Sequence, residues 1–255
     1  MAQIEFLGTG TSTGVPQPLC SCRVCRSNDT RDKRLRCSSI LKFDNTHILI
    51  DCSPDFRYQA MRAGIDHIDA LLLTHAHTDH MGGLDDLRPY CTYEPLPIYA
   101  EERVLNDVRT RLPYCFMKNP YPGIPRFDTH TITPSQPFTV SNIEITPLRV
   151  MHYNLPIVGY RIGNMAYITD CLTMPDETAE QLKGLDLLII NALRKTEHIS
   201  HQTLDMALSV IAQLAPKQAY LIHMSHDMGL HAEESELLPP NVHFAYDGLT
   251  LDFEG

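Results

Sequence analysis

Residues 74 to 80 read THAHTDH and bring His75, His77, Asp79 and His80 within six positions. All four side chains are metal donors, and imidazole and carboxylate ligands suit zinc, manganese and related divalent ions. Residues two apart on an extended segment point to the same side, so His75 and His77 face one way. Asp79 and His80 are adjacent and must point elsewhere, which lets one short turn serve two neighbouring ions. Further donors stand at the ends of later apolar stretches: His152 after ITPLRVM, Asp170 after MAYIT and His223 after KQAYLI. Together they read as one set.

A second constellation lies near the start. PLCSCRVC at 18–25 places Cys20, Cys22 and Cys25 within six positions, three thiols in the spacing of a zinc site. A closed tetrahedron needs a fourth ligand, and His226, three residues after His223 in HMSHD, is the best candidate. A zinc joining the amino-terminal loop to His226 would also brace the segment that carries His223. Cys37, Cys52, Cys91, Cys115 and Cys171 are scattered and expected to be inert. Eight cysteines suit ligands and core positions in a reducing compartment better than disulfides.

The elements that must position these groups can be read from periodicity. QIEFLG reads as a strand, SSILKF and THILIDC as a hairpin turning on Asp44-Asn45, and PDFRYQAMRAG as a helix with proline at its start and glycine at its end. IDALLLTH reads as a buried strand, EERVLNDVRTRL as a helix, FTVSNIEITPLRV as two strands, and VGYRIGNMAYITD as a hairpin. MPDETAEQLKG then predicts a helix, DLLIINA a strand, HQTLDMALSVIAQLA an amphipathic helix, KQAYLIH a strand, and VHFAYDGLTLDFE a closing hairpin. Residues 113–137 are proline-rich without a clear period and predict a long loop or lid. Strands alternating with helices in both halves argue for α/β layers around two sheets, in one domain over 1–255.

Composition excludes several classes. A formal charge of −10 disfavours a general nucleic-acid surface, because phosphate contacts are carried by lysine and arginine. The one basic cluster, RDKRLRC at 31–37, could steer an anionic substrate or be a solvated face. No apolar run approaches the roughly 18 residues of a membrane span. The start, MAQIEFLGTG, lacks a secretory signal, so a cytoplasmic location is expected.

The THAHTDH stretch with His152, Asp170 and His223 resembles the metallo-β-lactamase superfamily, over nearly the whole chain. That resemblance implies a four-layer αββα sandwich of two mixed sheets flanked by helices, with the ligands on loops at one edge. By position, His75, His77 and His152 would hold one ion, Asp79, His80 and His223 a second, and Asp170 would bridge both. His80 and an aspartate at 170 align the chain with dinuclear hydrolases rather than true β-lactamases. One departure is visible: the superfamily often has Asp-x-Gly after its early strand, and here Asp51 is followed by Ser53 in the glycine's place.

Within the superfamily, GTGTSTGVP, the Cys-x-Cys-x-x-Cys run and His-x-Ser-His near the end resemble the phosphoribosyl cyclic phosphodiesterases (PhnP-like) of bacterial phosphonate degradation. The resemblance implies two catalytic ions, manganese or zinc, one structural zinc, a homodimer, and a small anionic phosphodiester of a ribose or nucleotide as substrate. It implies attack on phosphorus by a hydroxide bridging the ions, with Asp79 or Asp170 orienting the water. It also implies a histidine near the phosphate at a late helix start. That is His201, with His198 as the substitute; if protonated, it could stabilise the oxyanion or protonate the departing oxygen. The alternatives are a ribonuclease Z-like endonuclease, a glyoxalase II-like thioesterase, and a non-catalytic metal-binding protein.

Overall fold

The protein is described by a computed structural model covering residues 2–118 and 121–254. Seven strands make a first sheet: β1 (Ala2–Gly8), β2 (Ser38–Phe43), β3 (Thr46–Ile50), β4 (Ala70–Leu72), β5 (Leu96–Ala100), β6 (Phe127–Thr131) and β14 (Thr250–Phe253), in the order β14-β1-β2-β3-β4-β5-β6. The second sheet holds β7 (Phe138–Val140), β8 (Ile143–His152), β9 (Leu155–Ile162), β10 (Met165–Ile168), β11 (Leu187–Asn191), β12 (Gln218–Ile222) and β13 (Val242–Phe244), in the order β13-β12-β11-β10-β9-β8-β7. Both sheets are mixed. β3 through β6 run parallel, as do β10 through β13, while the remaining pairs are antiparallel.

Period-2 alternation with both faces apolar explains the layers. On β3, Ile48 and Ile50 turn into the space between the sheets, where they meet Val158, Tyr160, Tyr167 and Ile222. Leu49 turns the other way, onto Phe56 and Ala60 of α1 (Phe56–Ala63) and Val104 and Val108 of α3 (Glu102–Arg111). The second sheet repeats this: Ile168, Ile190 and Leu221 pack under Ala207, Ile211 and Leu214 of α5 (Leu204–Leu214). Each such fully buried side chain contributes about 1.5–3 kcal/mol. The result is the αββα sandwich expected from the sequence. Short helices α2 (Thr78–Met81), α4 (Asp176–Gln181) and α6 (His231–Ser235) complete it. Among the described residues no helix is long and apolar enough to cross a membrane.

Four expectations are corrected. VHFAYDGLTLDFE is not a hairpin: β13 joins β12 in parallel in one sheet and β14 joins β1 antiparallel in the other. Each half of that segment finds a longer partner elsewhere than in its neighbour. The proline-rich 113–137 region is less irregular than its composition suggests. A 3-10 turn occupies Pro113–Phe116 and FDTHT forms the edge strand β6, where a weakly apolar strand is tolerated because one side faces solvent; positions 119 and 120 of that region lie outside the described residues. LPIYA forms the parallel strand β5, unread because its proline demotes a strand pattern. Finally, HQTLDMALSVIAQLA becomes helical only at Leu204, because Thr203 is the N-cap and accepts a hydrogen bond from Met206 N–H; His201 therefore precedes the helix.

The topology sets where donors meet. β3, β4, β8, β10 and β12 all end on the same edge of the sandwich, delivering Asp51, the 74–80 turn, His152, Asp170 and His223 to it. Carboxyl ends of parallel strands are the usual site of ligand binding in such layers.

Candidate metal centre

The 74–80 turn is fastened from below. Asp51 sits in a left-handed conformation, φ 56°, directly after β3, and its buried carboxylate accepts hydrogen bonds from Thr74 N–H at 2.9 Å and Thr74 Oγ1 at 2.9 Å. The same carboxylate lies 2.7 Å from His80 Nδ1. Ser53, in the glycine's place of the family pattern, is buried; its hydroxyl donates to Gln59 Oε1 at 3.0 Å and accepts from Asp55 N–H at 3.2 Å. Asp51 thus reaches His80 without the glycine. His77 then caps the single turn of α2, which winds Asp79 and His80 inward to buried positions while His77 stays exposed.

Asp170 stands at the middle. Its Oδ2 is 3.6 Å from His75 Nε2, and its Oδ1 is 3.4 Å from His80 Nε2 and 3.1 Å from His223 Nε2. Asp79 Oδ2 lies 3.3 Å from His80 Nε2 and 3.4 Å from His223 Nε2. The donors therefore divide as the alternation of the turn required: His75, His77 and Asp170 on one side, Asp79, His80, Asp170 and His223 on the other, each group within 4.8 Å. Asp170 and His223 also have positive φ, 53° and 58°. Non-glycine residues held there cost about 1–3 kcal/mol each, a strain concentrated at functional sites.

The donor set fits divalent cations. Two carboxylates are buried together among imidazoles, and buried charge of this density requires compensation. Among the described residues His80 Nε2 is buried and makes no well-formed hydrogen bond, with only the Asp79 and Asp170 oxygens near it at 3.3 and 3.4 Å. Donor separations of 3.1–3.6 Å are those of ligands sharing an ion at about 2.0–2.2 Å. The electrostatics agree: burial opposes ionisation of Asp170, but His223 and His80 outweigh it and hold that carboxyl well below its ordinary range. Burial likewise opposes charge on His80, and Asp170, Asp79 and Asp51 overcome it and raise that imidazole. Burial pushes His75 down.

His152 ends β8 beside this group, its ring 5.8 Å from that of His75 and 5.1 Å from that of His77, and its Nδ1 lies 3.0 Å from Ser200 O. It shares a donor cluster with Asp170 and His201. His201 is buried, its ring 4.6 Å from His152 and 4.9 Å from His223. Burial, and then His223, lower it to about 3.

The cysteine constellation also closes. Cys20 Sγ and Cys22 Sγ lie 3.7 and 3.4 Å from His226 Nδ1, and with Cys25 the four donors fall within 4.8 Å of one another. His226 Nε2–H donates to Gln17 Oε1 at 3.0 Å, which keeps the ring proton on Nε2 and leaves Nδ1 free towards sulfur. The loop is zipped to the site: Thr11 N–H donates to Met224 O and Met224 N–H to Thr9 O, both at 3.1 Å, immediately after His223. Burial opposes ionisation of Cys22, but Cys25 N–H and then Cys20 and His226 bring it down to about 6; burial pushes Cys25 up to about 11. The other five cysteines are buried free thiols.

The arginines of the basic cluster at 31–37 are paired within the fold. Arg31 pairs with Asp29 at 2.6 Å, Arg36 with Asp55 at 2.6 Å, and buried Arg34 donates to Ala245 O at 2.6 Å and Thr9 Oγ1 at 2.9 Å. These side chains brace the amino-terminal loop. Sequence reasoning missed Asp51 and Thr74 as the fastening of His80 and the turn; the one signal was an aspartate directly after an apolar strand.

A family model described as beta-lactamase superfamily domain matches residues 46–224. An octanoyltransferase of Porphyromonas gingivalis is 53% identical over 246 residues, 96% of this chain, and the chain spans half the length of that protein. A crystal structure of a new diphosphatase from the PhnP family superposes with a TM-score of 0.93 at 39% identity, over 100% of this chain and 98% of that one. Zn(2+)-bound PqqB from Methylobacterium extorquens shares the fold, with a TM-score of 0.83 at 20% identity over 98% of this chain and 100% of that one. With most of the chain inside the family model and its histidines and aspartates gathered at one edge of an αββα sandwich, the chain belongs to the beta-lactamase superfamily.

Proposed function

We propose that this protein is a metal-dependent hydrolase of phosphodiesters or phosphoric anhydrides with a dinuclear catalytic site. The observation that carries the reading is Asp170, whose two oxygens face two separate donor groups. In this reading His75, His77 and His152 would hold one ion and Asp79, His80 and His223 the other, with Asp170 within reach of both. Cys20, Cys22, Cys25 and His226 hold a structural zinc. The likeness to a PhnP-family diphosphatase at 39% identity over nearly both whole chains supports phosphorus as the centre attacked.

Divalent ions bound there supply Lewis acidity and lower the pKa of water towards neutrality. Asp79, with a carboxylate oxygen left over from a single metal bond, would accept a hydrogen bond from the attacking water and orient it. His201, beside His152, would donate an N–H hydrogen bond to a phosphoryl oxygen, the kind of contact worth roughly 100-fold to 1,000-fold. One P–O bond forms to the water oxygen as the bond to the leaving oxygen breaks, and the proton given up by the water ends on the leaving oxygen. An RNA substrate is disfavoured: within 113–137, Arg126 spends its guanidinium on the carbonyls of Cys91, Thr92 and Tyr93, at 3.2, 3.2 and 2.9 Å.

A second reading, thioester hydrolysis, is favoured by one observation, the acyl chemistry in the name of the 53% identical relative. That name describes a protein of which this chain spans half the length. The test is hydrolysis of bis(4-nitrophenyl) phosphate and of an octanoyl thioester by manganese-loaded protein, with Asp170→Ala and metal-free controls. Metal-dependent phosphodiester turnover absent from the variant supports the first reading; turnover of the thioester alone overturns it.

A further inference from the structure

Three imidazoles lead outward from the donor cluster. His223 is 1% exposed and its ring stacks 4.9 Å from that of His201, which is 9% exposed and lies 5.1 Å from that of half-buried His198. The row begins at the carboxylates of Asp79 and Asp170 and ends at the surface.

His198 is held in place. Ser200 N–H donates to its Nδ1 at 3.3 Å, so the neutral ring carries its proton on Nε2. Nε2 has no hydrogen-bond partner among the described residues. Its loop is braced from within: Arg194 donates to Thr196 O at 3.2 Å and to Glu197 O at 2.7 Å, and Leu193 N–H and Leu204 N–H pair with Gln202 O and Arg194 O at 3.0 and 2.9 Å. His198 thus holds a fixed donor with a free N–H one ring beyond the residue assigned to the reacting phosphoryl.

We propose that His198 is a specificity-determining residue that binds the unattacked phosphoryl group of a diphosphate substrate through Nε2–H. Two phosphoryl groups joined by one oxygen place their outer oxygens at a separation comparable to the 5.1 Å between the two rings. A hydrogen bond to that second anion is of the charge-assisted kind, about twice the strength of a neutral one. A simple monophosphate ester offers nothing at this position. The inference rests on the phosphoryl-hydrolase reading and narrows its substrate class.

The test measures inhibition of bis(4-nitrophenyl) phosphate hydrolysis by ADP and by AMP, at saturating manganese, for wild type, His198→Ala and His198→Gln, with metal content checked in each. Wild type is expected to bind ADP at least about ten-fold tighter than AMP, about one charge-assisted contact. In His198→Ala that ratio falls at least about five-fold, and His198→Gln, whose amide also donates, keeps part of it. An unchanged ratio in His198→Ala, or no ADP preference in wild type, overturns the proposal while leaving the hydrolase reading intact. No ester hydrolysis by loaded wild type overturns both.

Discussion

Asp51 and His80 meet at 2.7 Å between Oδ2 and Nδ1, both fully buried, and this contact turns His80 Nε2 towards the carboxylates of Asp79 and Asp170. A carboxylate behind an imidazole fixes its tautomer and raises its basicity as a ligand. Asp51→Ala is therefore expected to weaken metal binding about 10-fold to 100-fold on the His80 side while the cysteine site stays loaded. Metal titration with manganese reads this directly; unaltered affinity would remove Asp51 from the supporting role.

The amino-terminal site carries a separable prediction. Cys22→Ser or His226→Ala is expected to lose one tightly held zinc equivalent, read by elemental analysis. Because Thr9 and Thr11 pair with Met224 next to His223, the loss should also lower thermal stability and turnover together. A variant that loses zinc with turnover unchanged would show that the loop does not position His223.

His201→Ala is expected to retain its full metal content and lose roughly 100-fold to 1,000-fold in kcat. Elemental analysis beside steady-state kinetics separates this from a ligand role, in which metal and turnover would fall together.

Close backbone approach accounts for Gly83, directly after the α2 turn. A Cβ there would stand 2.1 Å from Ser53 O and 2.9 Å from Phe56 Cβ. Backbone cannot give way as a flexible side chain can, so Gly83→Ala is expected to destabilise by about 1–3 kcal/mol or more. Urea unfolding measures it, and a loss under about 0.5 kcal/mol, the range of ordinary surface substitutions, would contradict the packing described.

One histidine away from the donor cluster predicts a pH dependence. Burial, and then Arg34 at 3.3 Å, lower His231 to about 4 from its ordinary 6.5. The folded state thus binds fewer protons than the unfolded one between these values. Stability from this group is full above pH 6.5 and declines as pH falls towards about 4, by about 1–2 kcal/mol after allowance for partial exposure. His231→Gln, which keeps an acceptor for Arg34 but does not titrate, should flatten that part of the profile. Urea unfolding at pH 7 and pH 4.5 compares the two; parallel profiles would exclude His231 as the cause.

By itself the sequence determined the local patterns: the alternation that buries Ile48 and Ile50 on one face of β3 and Leu49 on the other, and the turn that divides His75 and His77 from Asp79 and His80. These depend on residues a few positions apart, where backbone period alone dictates direction. Tertiary structure decided what long-range pairing controls. The segment 242–254 divides between two sheets because β12 and β1 each offer an unpaired edge, which no local period encodes. The same holds for Asp51 behind His80, 29 positions apart, and for His198 beside His201 beside His223, whose spacing is set by how a loop and a strand end pack. The basic run at 31–37 shows the converse: charge was visible in the sequence, but only the folded loop decided that Asp29, Asp55 and buried carbonyls would consume it.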